Sequence, residues 1–256
     1  MMNKPEKLNC WTSEMMATFS SAFEKASEDT QIKAVIFTGA GHYYSSGLSL
    51  GGTLKLMPPK QFHALIVEHN KKLFDTFLNF PKPILAAING PAIGGCVTSA
   101  TLCDFIIASD TSTFLTPFSA LGITPEGCSS ILFARLMGEH NAQRMLGHEG
   151  WKPSAEQALT AGLVQRVVKK DQLQSEAQKT AQDWVTSGRG RIFRGGCDLA
   201  ELQAVNARES IEMADRFLGS EFLQVQFKFL WGKKKRGLAA VFFCVWLSRP
   251  LWKRFL

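Results

Sequence analysis

The chain has 256 residues, of which 45% are hydrophobic and 20% charged, a composition typical of a globular protein with one large α/β domain or a domain carrying an appended helical part. The net charge of +7 is compatible with nucleic-acid or phosphate binding, but the sequence shows no zinc-finger spacing and no RNA-binding aromatic motif. The six cysteines form no C-x-x-C pair and indicate a reducing compartment, and the five scattered histidines indicate no metal site. We therefore expect neither a nucleic-acid partner nor a metal.

The first third of the chain alternates helical and strand patterns. Residues 3–9 are polar and lack the features of a targeting segment. Apolar residues at helical spacing follow, with Thr12 or Ser13 as the N-cap. The predicted elements are a helix over 12–26, a strand over 34–38, a glycine-bearing loop over 39–52 and a helix over 60–80.

The same alternation continues to about residue 168 and then becomes helical. The predicted elements are strands over 84–88, 105–108, 113–116 and 163–168, a loop over 117–130, and helices starting at 94–95 and over 129–137, 154–162 and 198–231. Glycine and arginine residues over 187–191 and 194–196 interrupt the helical pattern. Strands that alternate with helices predict an α/β fold with parallel strands.

The strand predicted over 84–88 leads into a helix through glycines. Asn89, Gly90 and Pro91 are typical turn residues, and Gly94 and Gly95 open the helix. Because glycine has no Cβ, a ligand can approach the backbone closely, and the first N–H groups of the helix point at it. Such a turn suits an anion, or an oxygen that becomes one during a reaction; an ordinary packing turn is the alternative.

A second glycine-bearing loop follows the strand over 34–38, at Gly47 and Leu48. If the two loops meet, the N–H groups of Leu48 and Gly95 converge on one carbonyl oxygen. Two such donors would stabilise a thioester enolate, because they are aimed at charge that appears only in the transition state.

Four segments together resemble the enoyl-CoA hydratase/isomerase (crotonase) family, and most of all its peroxisomal-type Δ3,Δ2-enoyl-CoA isomerases. They are the glycine-bearing loop over 36–47, the segment PILAAINGPAIGG over 83–95, Cys103-Asp104, and TPFSALGITPEGCSS over 116–130. The resemblance covers about residues 3–168 and returns over 202–235.

The resemblance implies a crotonase-like spiral of stacked ββα units over 1–187, followed by a helical C-terminal region over 188–256. It implies an acyl-CoA thioester substrate with no further cofactor, since CoA is part of the substrate, and a homotrimer in the peroxisome or mitochondrion. It assigns the oxyanion hole to Leu48 and Gly95. It also implies substrate contacts at Ser45, Ser46, Gly47, Ser49, Leu50, Gly94 and Phe118.

The resemblance further separates hydration from isomerisation. Hydration uses two carboxylates, and the corresponding positions here are Thr98 and Phe118. Moving a double bond from C3 to C2 needs one base, and Glu126 occupies the base position of the isomerases. Its hydrophobic neighbours, Phe118, Leu121 and Phe133, would raise its pKa by desolvation. The alternative is an exposed loop acid.

The chain departs from the family pattern at four places. Ser49 stands where relatives carry an aspartate, the chain starts after the family's first strand, and an Arg/Gly-rich insert lies between Ser187 and Asp198. The tail over 238–247 is apolar with basic flanks, and ten residues are too few to span a bilayer. We expect a buried terminal helix there, with an interfacial membrane segment or an altered splice end as alternatives.

Two other functions remain open. Residues 47–51 fit the G-x-S-x-G pattern of serine hydrolases, but no histidine follows His148, although that fold places its base late in the chain. The altered ends are compatible with a catalytically impaired acyl-CoA-binding or scaffold protein. We expect an isomerase, and the final residues form no Ser-Lys-Leu peroxisomal signal.

Overall fold

A computed structural model describes residues 1–48 and 57–253 of the chain. Its larger sheet has four parallel strands, in the order β1 (Val35–Thr38), β2 (Ile84–Ile88), β4 (Phe105–Ser109) and β6 (Arg166–Val168). A smaller parallel sheet pairs β3 (Ala92–Ile93) with β5 (Phe114–Leu115). The predicted α/β fold with parallel strands is confirmed.

Helices lie between the strands and continue after the last one. The helices up to residue 186 are α1 (Ser13–Glu28), α2 (Pro59–Leu78), α3 (Gly95–Thr101), α4 (Phe118–Leu121), α5 (Ser129–Leu146), α6 (Ala155–Ala161) and α7 (Leu173–Thr186). The C-terminal helices are α8 (Leu199–Phe217), α9 (Ser220–Gly232) and α10 (Arg236–Trp252), and short 3₁₀ turns occupy Pro5–Lys7 and Lys170–Gln172. Thr12 caps α1, because its hydroxyl accepts the N–H of Met15 at 3.2 Å.

Some predicted boundaries were wrong, each for a local reason. The single helix expected over 198–231 is two helices, α8 and α9, separated at Gly219. The strand expected over 163–168 begins only at Arg166, because the N–H groups of Leu163 and Val164 still donate to the carbonyl of Ala158 in α6. The loop expected over 117–130 contains α4, and α5 continues beyond residue 137 through a kink at Gly138.

An aromatic cluster packs α1 and α2 against β1. Ring centroids lie 5.3 Å apart for Phe23 and Phe77, 5.5 Å for Phe37 and Phe77, and 5.2 Å for Trp11 and Phe19. All five side chains are buried. Pairs at such distances add to the stability gained from burying the rings.

A buried ion pair is among the contacts that attach the Arg/Gly-rich segment before α8 to the core. The Arg191 guanidinium contacts the Asp104 carboxylate, and it also donates to the carbonyls of Phe77 at 3.0 Å and Leu102 at 2.6 Å. The Asp104 side chain has no exposed surface and also accepts the N–H of Ile84 at 2.8 Å. The segment that departs from the family pattern therefore docks on the core.

Helix α8 packs against α2 through polar contacts as well as apolar ones. The amide of Asn206, which is fully buried, donates to Asp75 Oδ1 and to the carbonyl of Lys71, each at 3.0 Å. Asn70 donates to the Ser210 hydroxyl at 3.1 Å. These contacts hold the start of the C-terminal region beside the site described below.

The apolar tail forms α10, which packs on α9. A helix was predicted here, but the prediction that it would be buried was wrong, since of its residues only Ala239 and Phe242 are buried. Leu247 is 57% exposed and Leu251 is 70% exposed. Within the described ranges, no helix combines the length and hydropathy needed to cross a bilayer.

Candidate active site

Ser45 holds the first glycine-bearing loop beside the second. Its N–H donates to the carbonyl of Pro91 at 3.3 Å, and its carbonyl accepts the N–H of Ile93 at 3.1 Å. Its hydroxyl donates to the carbonyl of Asn9 at 2.8 Å and accepts the N–H of Gly47 at 3.1 Å. Residues 45–47 therefore run parallel to residues 91–93, and the two loops meet, which the sequence had left open.

Gly47 turns the chain at this point. Its φ is +83°, and a Cβ there would lie 2.6 Å from the carbonyl oxygen of Ile93, so only glycine fits. Its carbonyl accepts the N–H of Trp11 at 2.8 Å. In a trans peptide the next N–H points the opposite way, so the N–H of Leu48 faces away from Trp11.

Two further residues of this loop lie close by. Ser46 is partly buried, and its N–H donates to the carbonyl of Leu8 at 2.9 Å. Leu48 is 41% exposed. Ser49 and Leu50, also expected at the site, lie outside the described residues.

Gly94 and Gly95 open α3. Gly94 has φ +68° and donates its N–H to the carbonyl of Leu115 at 2.7 Å. A Cβ on Gly94 would meet nothing within 4 Å, so one side of this turn is open. Gly95 is the first residue of α3, and its N–H therefore has no acceptor within the helix.

The Glu126 carboxylate lies against this turn. A Cβ on Gly95 would lie 2.9 Å from Glu126 Oε1 and 3.6 Å from the ring of Phe74. Gly127 has φ +63° and faces the same ring, since a Cβ there would lie 2.5 Å from it. The aromatic residue beside the Glu126–Gly127 turn is thus Phe74 of α2, which was absent from the expected neighbours Phe118, Leu121 and Phe133.

Glu126 is a partly buried acid with a raised pKa. Burial, and secondarily the negative charge of Glu209, raises its pKa from 4.5 to about 8. Among the described residues, no side-chain donor lies within hydrogen-bond distance of its carboxylate. The group is held by packing and is free to accept a proton from a ligand.

The two positions at which hydration would need carboxylates hold buried, uncharged residues. Thr98 has no exposed surface, and its hydroxyl donates to the carbonyl of Gly95 at 3.1 Å. Phe118 begins α4 and is 1% exposed. A contact between the Phe118 side chain and a substrate stays a prediction.

A second carboxylate was missed by sequence reasoning. Glu209 of α8 is fully buried and accepts the N–H groups of Cys128 at 2.6 Å and Ser130 at 2.9 Å, at the start of α5. Burial raises the pKa of Glu209, while those N–H donors oppose the rise. The signal was present in the sequence, since Glu209 falls on the buried stripe of α8 together with Leu202, Val205 and Met213.

A family model described as Enoyl-CoA hydratase/isomerase matches residues 1–193. The chain belongs to the enoyl-CoA hydratase/isomerase family. It is 36% identical to human Enoyl-CoA delta isomerase 2 over 245 residues, which cover 92% of this chain and 61% of that protein. The chain thus spans about three fifths of that relative's length.

Other relatives agree on the family and the fold. Mouse Enoyl-CoA delta isomerase 3, peroxisomal, is 32% identical over 92% of this chain and 76% of that protein. The solved enoyl-CoA hydratase/isomerase from Pseudoalteromonas atlantica T6c superposes with a TM-score of 0.76 at 29% identity, covering 90% of this chain and 91% of that one. The crotonase fold is therefore confirmed, and the relatives support an enzyme of the hydratase/isomerase kind.

Proposed function

We propose that this member of the enoyl-CoA hydratase/isomerase family moves the double bond of a 3-enoyl-CoA to give a 2-trans-enoyl-CoA, as in the β-oxidation of unsaturated fatty acids. The observation that carries the proposal is that, among the residues that the structure describes, Glu126 is the one available carboxylate beside the Gly95 turn. Thr98 and Phe118 supply no second acid for hydration. Glu209 is occupied by two main-chain N–H groups.

The proposed reaction needs one group that both removes and returns a proton. Glu126 takes a proton from C2, and the electrons of that bond form a C1–C2 double bond while the carbonyl π electrons move onto the thioester oxygen, giving a dienolate. When the carbonyl is restored, the C1–C2 π electrons form the C2–C3 double bond, and the C3–C4 π electrons take the proton back from Glu126 at C4. Negative charge collects on the thioester oxygen of the dienolate. The N–H groups of Leu48 and Gly95 are the proposed donors to that oxygen.

The raised pKa of Glu126 suits this role. A base is most effective when its pKa is close to the working pH, because it then removes protons strongly and is still ionised in a useful fraction of molecules. A pKa of about 8 meets both conditions near neutral pH. An ordinary glutamate, ionised but weakly basic, would transfer the proton less readily.

The remaining parts of the proposal rest on the family. The substrate is an acyl-CoA thioester, CoA being part of the substrate, and the main chain around Ser45, Ser46, Gly47 and Gly94 would line its site. A homotrimer remains part of the proposal. So does a peroxisomal or mitochondrial location, with the name of the mouse relative supporting the first.

The test combines an assay with a binding measurement. The absorbance of the conjugated product reports the conversion of a 3-enoyl-CoA, and calorimetry reports the binding of the CoA ester. Both are measured for the wild type, for Glu126→Gln and for a control, Glu139→Gln, which changes a residue on the exposed surface of α5. We expect Glu126→Gln to lose at least about a thousandfold in rate and to keep its affinity. Near-wild-type activity would remove Glu126 from the role.

The assay also separates the competing functions. Binding of the CoA ester by the wild type without turnover would favour the acyl-CoA-binding or scaffold alternative. Addition of water to a 2-enoyl-CoA would favour a hydratase.

A further inference from the structure

The basic charge of the chain is concentrated in its last 35 residues. Residues 222–256 contain eight lysine and arginine residues and no aspartate or glutamate. The preceding 221 residues contain 21 basic and 22 acidic residues, so the rest of the chain is nearly neutral. The positive net charge therefore belongs to α9, α10 and their immediate flanks.

Helix α10 is apolar on both of its sides. Its inner side packs on α9, where Phe222 and Leu230 join Ala239 and Phe242 in one buried cluster. A helix in water normally presents polar residues on its other side. Here the outer side is a stripe of Ala240, Val241, Cys244, Leu247 and Leu251, which are all exposed.

We call this outer side the α10 stripe. Cys244, Leu247 and Leu251 follow the adjacent pair Ala240 and Val241 at intervals of three or four residues, so the members lie on one face of the helix. Val241 is 41% exposed, Leu247 is 57% exposed and Leu251 is 70% exposed. A continuous apolar stripe of this kind indicates a contact surface.

Basic and aromatic side chains flank the stripe at both ends. Lys233, Lys234, Lys235 and Arg236 lie at the start of α10, and Lys253 follows its end. Trp231 is 54% exposed, and the Arg236 guanidinium lies 5.7 Å from the centroid of its ring. Tryptophan beside lysine and arginine is the composition that proteins use at the boundary between water and lipid headgroups.

We propose that the α10 stripe and its basic flanks dock on the surface of an anionic lipid bilayer, with α10 lying parallel to that surface. The apolar stripe enters the boundary between headgroups and acyl chains, and the lysine and arginine side chains pair with the headgroup phosphates. The helix is too short to cross: its 17 residues extend about 26 Å, less than the hydrocarbon thickness of about 30 Å.

The charge pattern favours a bilayer over a second copy of the chain. Two copies that met through the α10 stripe would bring basic residues towards basic residues in either orientation, because both ends of the helix are positive. An anionic surface is complementary to both ends at once.

Vesicle binding by the full chain tests the proposal. The protein is sedimented with vesicles of phosphatidylcholine alone and with vesicles of an equal mixture of phosphatidylcholine and phosphatidylglycerol. We expect binding to the mixed vesicles only, with a loss when the salt is raised to about 0.5 M, because salt screens charges at the surface. The salt dependence is measured on the wild type and so does not depend on the folding of a variant.

Matched variants separate the stripe from the charges. Leu247→Glu places a charge in the stripe and should lower binding at least about tenfold, whereas Val185→Glu changes a residue of α7 that is 42% exposed and should leave it unchanged. Replacing Lys233, Lys234, Lys235 and Arg236 by alanine should also lower binding at least about tenfold.

Three results would overturn the proposal. The first is no binding to the mixed vesicles, and the second is equal binding to both kinds of vesicle. The third is a wild type that is oligomeric by light scattering, with Leu247→Glu giving monomers and neither protein binding vesicles, because a second copy would then cover the stripe.

Discussion

Glu209 of α8 lies close enough to Glu126 for its negative charge to raise the pKa of that residue, a smaller contribution than burial makes. Glu209 is held in place by the N–H groups of Cys128 and Ser130, which follow Glu126 in the chain. The C-terminal helical region thus contributes a charge to the proposed catalytic turn. This relationship gives α8 a function beyond covering the core.

Replacing Glu209 by glutamine should shift the pH dependence of the reaction. Glu126 acts as a base only when ionised, so kcat/KM should rise with pH and level off above about 8. Glu209→Gln keeps an oxygen that accepts a main-chain N–H but removes the negative charge. Losing that charge lowers the pKa of Glu126, because the carboxylate of Glu126 is no longer repelled. The midpoint of the profile should therefore move to lower pH, with the variant faster than the wild type at pH 6 and about equal at pH 9.

The control for this prediction is Glu212→Gln, which changes an exposed carboxylate of the same helix. It should leave the midpoint where it is in the wild type. If Glu209→Gln lowered the rate equally at every pH, Glu209 would act only by holding the start of α5.

The raised pKa of Glu126 should also make the fold less stable at high pH. The folded state holds the proton up to about pH 8, whereas an unfolded glutamate releases it near 4.5, so stability falls as the pH rises between these values. The full difference corresponds to about 5 kcal/mol as an upper limit. Glu126→Gln removes this loss and should unfold at a higher temperature than the wild type at pH 9, with little difference at pH 4.5. Thermal melts at both pH values check this, and an equal effect at both would contradict it.

The sequence was sufficient for the loops of the site because their chemistry is local. Gly94 and Gly95 lie at the opening of a helix, as the turn residues predicted, although the short strand β3 precedes them, and Gly47 in the other loop has a positive φ. Their meeting through Ser45 and Ala92 was left open, since it depends on a pairing between distant segments. Glu126 was identified through the resemblance rather than through its own context.

The residues around Glu126 were harder to predict because they come from distant parts of the chain. Phe74 was not among the neighbours expected for Glu126, although it is fully buried beside Gly127. Glu209 lies in α8, outside the four segments that carry the resemblance. The burial of the tail was overestimated, because apolar composition alone does not reveal which side of α10 is covered.

A side chain at position 95 should lower activity without unfolding the protein. A Cβ there would lie 2.9 Å from Glu126 Oε1, so Gly95→Ala must displace the carboxylate, while the φ of Gly95 suits alanine and the fold should survive. We expect kcat to fall about a hundredfold, the scale of loss typical of a displaced catalytic group, with a melting temperature close to that of the wild type. Gly232→Ala, at a site with no atom within 4 Å, is the matched control and should leave both unchanged. A normal rate in Gly95→Ala would mean that the carboxylate does not need its present position.

Breaking the ion pair between Arg191 and Asp104 should destabilise the whole fold. Arg191→Met leaves a buried carboxylate without its cation, a change that costs about 3–5 kcal/mol and lowers the melting temperature of a chain of this size by about 10 °C. The comparison is Arg208→Met, which breaks an exposed pair with Glu212 at 3.7 Å and should cost less than about 1 kcal/mol.

A double variant identifies the cause of that loss. If the unpaired charge is responsible, adding Asp104→Asn to Arg191→Met should recover part of the stability, because asparagine can still accept the N–H of Ile84 without carrying a charge. If instead the lost hydrogen bonds to the carbonyls of Phe77 and Leu102 dominate, the second substitution should recover nothing. Denaturant unfolding of the wild type, both single variants and the double variant measures the coupling free energy between Arg191 and Asp104. A coupling free energy near zero would mean that the ion pair does not help to attach the C-terminal region.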